Sequence, residues 1–549
     1  MSDPEIELAG SAPGVFRASA TISLVNAAAR TLGFARWIVF GLTIGLTFLG
    51  NAYQTANLVP SIVFELVVGG VLSAVLVPTF VAELARGRRR AEEVTSTIAN
   101  LFLFVSVPLV VGGMLGAPWI MRAMTIGVRD PLVRAEQVVT GAFFLRVFLP
   151  QIPLYLLAVL MKGVLHAHRR FALAAAAPAF QSVIVIATYL TFHALGPGAD
   201  LATVSRMQLW VLAGGTTLGV AAWSLCMVPA VVRLGIRWRP VLHIRDSAVR
   251  RALRAGVYGL AFFCVTQVGL VVTLVLANRV EGGVAAFQIA FAFFELPNAV
   301  AGFPFAVALF PSLAQRALEG DEDGFARLLS RGWRAVAFLL APAAVGLAVV
   351  ARPLITVLFE RAPTGASPVI VAAALAALAF GLPAYALNQQ LIRAFYARHE
   401  PRAPVGLNAV TVGICVLAAV GLTVWLDPRG PGAIAVLGGA HAAGQWAGLA
   451  VGTVLLASRA RAWDGGRDGR FLAGSLVRAT LMGAAAFGVL RAASGGGRVL
   501  GVAAAAAAGV IVYGALSARR PELGDAIRAL RGQIVRKSPS TSDATRSQE

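Results

Sequence analysis

The stretch Leu76-Val77-Pro78-Thr79-Phe80-Val81-Ala82-Glu83-Leu84-Ala85-Arg86-Gly87 reads like Leu309-Phe310-Pro311-Ser312-Leu313-Ala314-Gln315-Arg316-Ala317-Leu318-Glu319-Gly320. In each, an apolar run reaches a proline and a small hydroxyl residue, then leaves through a charged segment that ends in glycine. The two prolines lie 233 positions apart. Ala117-Pro118 and Arg352-Pro353 repeat at an offset of 235, and His166-Ala167-His168-Arg169-Arg170 and Tyr396-Ala397-Arg398-His399-Glu400 at 230. Three anchors at nearly one offset imply a duplicated bundle.

The composition says what surrounds that bundle. Hydrophobic residues make up 58% of the 549, charged residues 13%, and the mean hydropathy is +0.76. A span needs about 20 apolar residues to cross roughly 30 Å of hydrocarbon. Such runs are expected near 17–46, 51–84, 95–121, 136–165, 171–196, 207–232, 250–277, 284–316, 327–358, 367–396, 404–426, 433–457, 471–490 and 498–518. The fold class is therefore all-α and polytopic, with about fourteen transmembrane helices. Residues 17–232 form an expected first lobe of six spans and 233–460 a second; 461–518 add two further spans. Six is an even number, so the two lobes start on the same side and are expected to be related by a pseudo-two-fold axis along the membrane normal. The polar tail 1–16 does not have the form of a cleavable signal peptide.

The net charge of +21 is spread over alternate loops, which argues for membrane topology and against a nucleic-acid partner. Arg86, Arg88, Arg89 and Arg90 follow span 2, Arg169 and Arg170 span 4, and seven arginines from Arg233 to Arg254 span 6; Arg316, Arg398 and Arg459 lie in later members of the series. The opposite loops are poorer, although the one after span 3 holds Arg122, Arg129 and Arg134. The positive-inside rule then places the even-span loops and both termini in the cytoplasm, with the basic tail 519–549 carrying an amphipathic segment at 521–537 suited to an anionic leaflet. Cys226, Cys264 and Cys415 each lie in an apolar run and read as small core residues. No catalytic or metal motif is present, so neither an enzyme nor a metal or other cofactor is expected.

Ala29-Arg30-Thr31-Leu32-Gly33-Phe34-Ala35-Arg36 resembles the first-helix signature of the MurJ (MviN) family of lipid II flippases, within the class of multidrug, oligosaccharidyl-lipid and polysaccharide exporters. Asn51-Ala52-Tyr53 through Val59-Pro60, Ser73 to Pro78, Phe293-Phe294-Glu295-Leu296-Pro297, Leu309 to Leu313, Pro353 to Glu360 and Arg393 to Ala397 resemble later landmarks in the same order. The resemblance covers roughly residues 17 to 460. It implies two six-helix lobes around a cavity, in the bacterial cytoplasmic membrane. It also implies a partner, the undecaprenyl-pyrophosphate-linked muropeptide precursor, moved from inner to outer leaflet, with membrane lipids and the cell-wall synthesis machinery as further partners. Such a head group cannot cross hydrocarbon unaided. Alternatives are a drug/cation antiporter or another lipid-linked oligosaccharide exporter of the same superfamily, and a cell-wall scaffold that kept the fold without transport. The sequence departs from the family pattern where Asn51 replaces an acid, and where Phe64, Glu65 and Ala292 stand in place of cations.

Charged residues within spans face cavities or partners by default. Arg30 and Arg36, matching the family's cavity arginines, are candidate phosphate ligands, because a guanidinium fork pairs two phosphate oxygens. They lie six positions apart, about 120° from a shared face, and a bend at Gly33 would bring them together. Arg146, ahead of Pro150 and Pro153, is a third candidate; outward snorkelling is its other reading. Glu65 and Glu295 are candidate charge partners or ion-coupling acids, with an arginine as the favoured partner of Glu65. Gln267, Gln288, His441 and Gln445 read as interhelical hydrogen-bond glue. Pro60, Pro78, Pro297 and Pro311 interrupt spans 2 and 8, and equivalent breaks in both halves mark gates or hinges; ordinary kinked packing is the alternative.

Overall fold

The computed structural model describes residues 12–69, 88–168, 170–234, 247–360, 365, 367–460, 462–493 and 498–518. Pro78, much of the basic loop after span 6, the N-terminal eleven residues and the 519–549 tail lie outside these, so the expectations placed on them stand outside the described residues. Among the described residues the regular structure is helical, apart from one isolated bridge between Leu46 and Gly365.

Each of the fourteen expected spans contains a helix among the described residues, span 2 over its first part only. The first is α1 (Ala12–Thr43) and the second α2 (Phe48–Gly69); span 3 is the long α3 (Arg88–Met124). Span 4 is broken into α4 (Pro131–Phe148) and α5 (Gln151–Ala167), span 5 is α6 (Phe171–Leu195), and span 6 is α7 (Arg206–Leu225) with the short α8 (Val228–Arg233). Span 7 is α9 (Ser247–Ala277). Span 8 is α10 (Gly283–Pro297), a π-turn at Asn298–Gly302, and α11 (Phe303–Glu319). Span 9 is α12 (Glu322–Phe359), and span 10 is the bent pair α13 (Val369–Ala379) and α14 (Leu382–Ala397). α15 (Arg402–Leu426), α16 (Pro431–Arg459), α17 (Gly465–Ala492) and α18 (Arg498–Ser517) complete the series. Among the described residues eleven helical segments are long and apolar enough to cross a membrane, and the pair bent by 50° makes a twelfth. α1 and α2 are additional; α2 carries Asn51 and Thr55, polar side chains that are hydrogen-bonded inside the protein.

The duplication is visible in the elements themselves. α3 and α12 are the two longest helices, with 37 and 38 residues, and each contains two prolines: Pro108 and Pro118, Pro342 and Pro353. Both start after a charged exit and both continue through their prolines, since a membrane helix can satisfy the freed carbonyl locally. Spans 4 and 10 are both broken midway, and α5 and α14 end at Ala167 and Ala397, the third anchor of the repeat.

By internal packing the chain divides into two units: Met1–Phe293 with Ile355–Leu378 and Pro401–Gly448, and Phe294–Leu354 with Ala379–Glu400 and Leu449–Glu549. In the first, α1 packs along α6, α6 along α7, and α2 along α4. The centre of this bundle is aromatic. Tyr53 is fully buried among Phe40, Phe144, Phe148 and Tyr189, and its hydroxyl is shared with Tyr189 (3.1 Å) and Thr216 (2.7 Å). A buried phenol requires such a partner, because an unmet hydroxyl in an apolar core costs about 1–3 kcal/mol. In the second unit α17 packs on α18 and α11 on α14, with Tyr513 donating to the Phe338 carbonyl (2.8 Å) across the α12–α18 contact.

The cysteines are free, as expected, but Cys264 is exposed. An exposed thiol on an apolar span is consistent with a lipid-facing position, so its assignment to the core is corrected. Cys226 does sit against the cluster of Ala158, Val164, Leu165 and Met227.

Candidate functional site

The first unit carries two features bearing on transport: the arginines of α1 and a dense polar seal at the ends of the odd-numbered spans. α1 runs unbroken through Gly33, whose nearest neighbour is the Ser182 hydroxyl, 4.0 Å from an added Cβ. Arg30 and Arg36 therefore keep the roughly 120° separation of an ideal helix. Arg30 is exposed and Arg36 half-buried. Arg36 lies against the Trp37 ring at 5.8 Å and within electrostatic reach of the Tyr53, Tyr155 and Tyr189 hydroxyls. It stands one turn below Phe40, at the edge of the aromatic centre.

Glu65 takes an amide where an arginine was expected. Gln267 of α9 donates to it at 2.5 Å, which joins spans 2 and 7 and places Gln267 in the bridging role read from its sequence position. Phe64, in the place of a family cation, lies against Tyr155 with ring centroids 5.1 Å apart. Arg146 is exposed and donates to the Met114 carbonyl at 3.4 Å, tying α4 to α3. In the second unit, Glu295 accepts from Tyr385 at 3.1 Å. Arg393 lies over Phe303 at 5.1 Å.

The proline positions divide. Pro60 lies within a continuous α2, and Pro311 within α11. Pro297 is different: the chain leaves α10 there and enters the π-turn 298–302. The buried Asn298 packs its Oδ1 against Gly302, where a Cβ would come to 2.2 Å, so a larger residue there would displace the Asn298 amide. The chain also passes between the two packing units after Phe293, Leu354 and Leu378, which places a crossing close to Pro297, to Pro353 and to the bend at 380–381.

The polar seal was not foreseen. Asn51 is fully buried at the start of α2. Its amide donates to the Val280 carbonyl (2.8 Å) and its carbonyl accepts from the Val284 N–H (3.0 Å). One neutral side chain thus holds both edges of the turn between spans 7 and 8. Beside it, fully buried Asn278 donates to Thr55 (3.0 Å) and the Leu274 and Met124 carbonyls, and accepts from Gln137 (2.8 Å). Leu46, in the turn between α1 and α2, lies between two glycines. At Gly282 (φ +65°) and Gly365 (φ +100°) an added Cβ would come within 2.4 and 2.3 Å of the Leu46 carbonyl oxygen, and both backbones are in the left-handed region. At the rim, Arg129 and Arg279 both pair with Asp427, the latter at 3.2 Å. This explains why the loop after span 3 could carry arginine against the general charge pattern: Arg129 is matched by an acid from span 11. All these contacts join the first repeat to the second at the ends of spans 1, 3, 7, 9 and 11. All of them lie within the first unit, where they fasten its odd-loop ends together.

Two acids sit on the same face. Asp200 is held below the usual carboxylate range by the hydrogen bond from Thr203, aided by two backbone N–H groups. Glu281 is pushed above it, first by burial and then by the charge of Asp200.

Among the described residues, a bundle of apolar membrane-length helices with a sequence repeat, tied across the repeats at its odd-loop ends, has the architecture of a polytopic transporter. The comparisons narrow the class. The family described as Lipid II flippase MurJ matches residues 40–501, and the chain belongs to that family. A probable lipid II flippase MurJ of Rhizobium meliloti (strain 1021) is 30% identical over 74% of this chain and 75% of its own. The lipid II flippase MurJ of Burkholderia cenocepacia is 26% identical over 73% and 77%. Among solved structures, a lipid II flippase MurJ in an inward closed conformation superimposes with a TM-score of 0.72 at 16% identity, covering 94% of this chain and 99% of that one. An inward-facing MATE family multidrug transporter of the MOP superfamily gives 0.61 at 17%, covering 79% and 94%. These two show the shared fold.

Two outcomes follow from the seal. Asn51→Asp removes the donor to Val280 and sets a carboxylate against its carbonyl, a loss of about 1–3 kcal/mol from the closed face. With Cys226, Cys264 and Cys415 replaced by serine, a probe cysteine at Leu46, buried in the closed state, should then react with a soluble maleimide about tenfold faster; an unchanged rate would contradict the clamp. The second outcome concerns pH. A carboxyl whose pKa is raised in the closed state makes that state bind a proton more tightly, so closure is favoured as pH falls through the raised pKa and weakened as pH rises through it. Labelling at position 46, taken relative to a fully exposed cysteine so that the rise in thiolate cancels, should therefore increase with pH across that window, and Glu281→Gln should flatten that ratio.

Proposed function

We propose that this chain moves lipid II across the bacterial cytoplasmic membrane by alternating access, with the odd-loop face outward and both termini in the cytoplasm. Family membership carries the substrate class. The arginine excess of the even-span loops supports the orientation. The fastened odd-loop ends support a closed outer face, a state in which the substrate's head group enters from the inner leaflet.

Arg36 is the first-choice phosphate ligand, and Arg30 the second. A guanidinium at the edge of the aromatic centre, beside the Trp37 ring, offers a charge-assisted fork for phosphate oxygens. The glutamate–glutamine pair of Glu65 and Gln267 supplies polar contact between spans 2 and 7 for the sugar or peptide portion. Release follows when the Asn51, Asn278 and Asp427 contacts part and the helices crossing between the packing units pivot near Pro297, Pro353 and residues 380–381. Export of a pyrophosphate-bearing group is favoured by an inside-negative potential, at about 2.3 kcal/mol per charge per 100 mV.

Transport of labelled lipid II by the purified chain in proteoliposomes tests this reading, with a cationic drug as the competing cargo. Lipid II, and not the drug, should move. Arg36→Ala should lower the rate at least tenfold with the protein still folded, and Arg36→Lys should recover part of it, since the charge returns without the fork. Wild-type rates in Arg36→Ala would remove Arg36 from the substrate path.

A further inference from the structure

The second unit holds a basic cleft that the transport reading does not use. It encloses about 300 Å³ and is lined by Arg327, Arg331 and Arg334 of α12, by Arg467 at the start of α17, and by Asp323 and Asp464. The three α12 arginines fall at i, i+4 and i+7, which places them on one helix face. Like charges at this spacing repel by about 0.2–0.5 kcal/mol per pair, so the face is poised for an anion.

One of the three is fixed in place. Asp468, fully buried, accepts from Arg334 (2.8 Å), Ser330 (2.6 Å) and the Trp463 indole (2.9 Å), and Trp463 in turn packs edge-on against the buried Trp333. Arg334 also lies against Phe471 at 5.8 Å. This buried acid accounts for one positive charge and orients its guanidinium. Asp464 is engaged as the cap of α17, accepting from the Arg467 N–H at 2.9 Å. Arg327, Arg331 and Arg467 are exposed and carry no ion pair of N···O 4.0 Å or less among the described residues. The arrangement therefore combines an anchored cation, three further guanidinium groups on two helices, and the positive end of the 28-residue α17, which favours anions.

We propose that this cleft is a phosphate-binding site, and that its ligand is the phosphate of an anionic lipid headgroup. The cleft lies where α12 and α17 begin, at the ends of the loops after spans 8 and 12, where a span leaves the hydrocarbon. Arginine suits the task because its fork meets two phosphate oxygens at once. Assigning the site to the cytoplasmic leaflet rests on the orientation proposed above; binding itself does not, because a nanodisc presents both faces.

The test uses the full chain in phosphatidylcholine nanodiscs, with and without phosphatidylglycerol, and with inorganic pyrophosphate added to the lipid-neutral discs. Thermal unfolding and native mass spectrometry of retained lipid give the readouts, and neither depends on transport. Phosphatidylglycerol should raise the unfolding midpoint and remain bound. Arg331→Ala with Arg467→Ala should weaken that retention at least tenfold while leaving the midpoint in neutral discs unchanged, and Arg331→Gln alone should weaken it less. Protection by pyrophosphate but not by the lipid, lost in the double variant, would retain the phosphate site and overturn its assignment to a lipid. Equal retention of phosphatidylglycerol by wild type and both variants, with no effect of pyrophosphate, would overturn the proposal. A failure of lipid II transport with intact lipid retention would count against the transport reading alone.

Discussion

The interaction on which the closed state depends is the hold of one side-chain amide on two backbone groups. Asn51 donates to Val280 and accepts from Val284, so one buried amide satisfies two backbone groups of the turn. A carboxylate could accept from Val284 but could not donate to Val280. The neutral residue at a position where the family pattern has an acid is therefore matched to its partners in this chain. Around it the seal is built from complementary pieces: a glycine on either side of Leu46, Asn278 meeting Thr55 and Gln137, and Asp427 collecting two arginines. Buried polar groups of this kind are costly unless fully paired, which makes the face a two-state element: nearly every contact is made together or lost together.

The same logic connects the seal to the arginines of α1. Tyr53 lies on α2 two residues after Asn51, and its hydroxyl network with Tyr189 and Thr216 forms the centre of the first bundle. Arg36 sits at the edge of that centre. One helix, α2, thus carries the clamp at its start, the aromatic core in its first turns and Glu65 farther along. A movement of α2 against α9 would alter the Asn51 clamp and the Glu65–Gln267 hydrogen bond together, which gives a physical route from an event near the substrate to the closed face.

Much of the architecture was legible in the sequence because hydrocarbon imposes length and apolarity on every span. Each of the fourteen runs contains a helix among the described residues, and the repeat of Pro118 at Pro353 reappeared as two unusually long proline-containing helices. The His166 and Tyr396 anchors fell at the ends of α5 and α14. What stayed hidden depended on pairing across distance. Nothing local marks Asn51, Gln137 and Asn278 as members of one network, although three amides in otherwise apolar surroundings were a signal that they had partners. Arg129 looked like a break in the charge pattern until Asp427 supplied its counter-ion. Glu65 took Gln267 in place of an arginine, because α1 stays straight through Gly33 and an amide on α9 lies within reach. Asp468 carries no local mark of its role, yet it is buried and organises the basic cleft of the second unit.

Closure and reopening of the odd-loop face is the central claim, and reversible locking tests it most directly. Arg129 and Asp427, whose side chains meet across the seal, would be replaced by cysteines in a background lacking the three native thiols, and joined by a short reducible cross-linker in proteoliposomes. Lipid II transport should stop in proportion to cross-linking and return on reduction. Transport that continues at full rate with the cross-link complete would contradict the account.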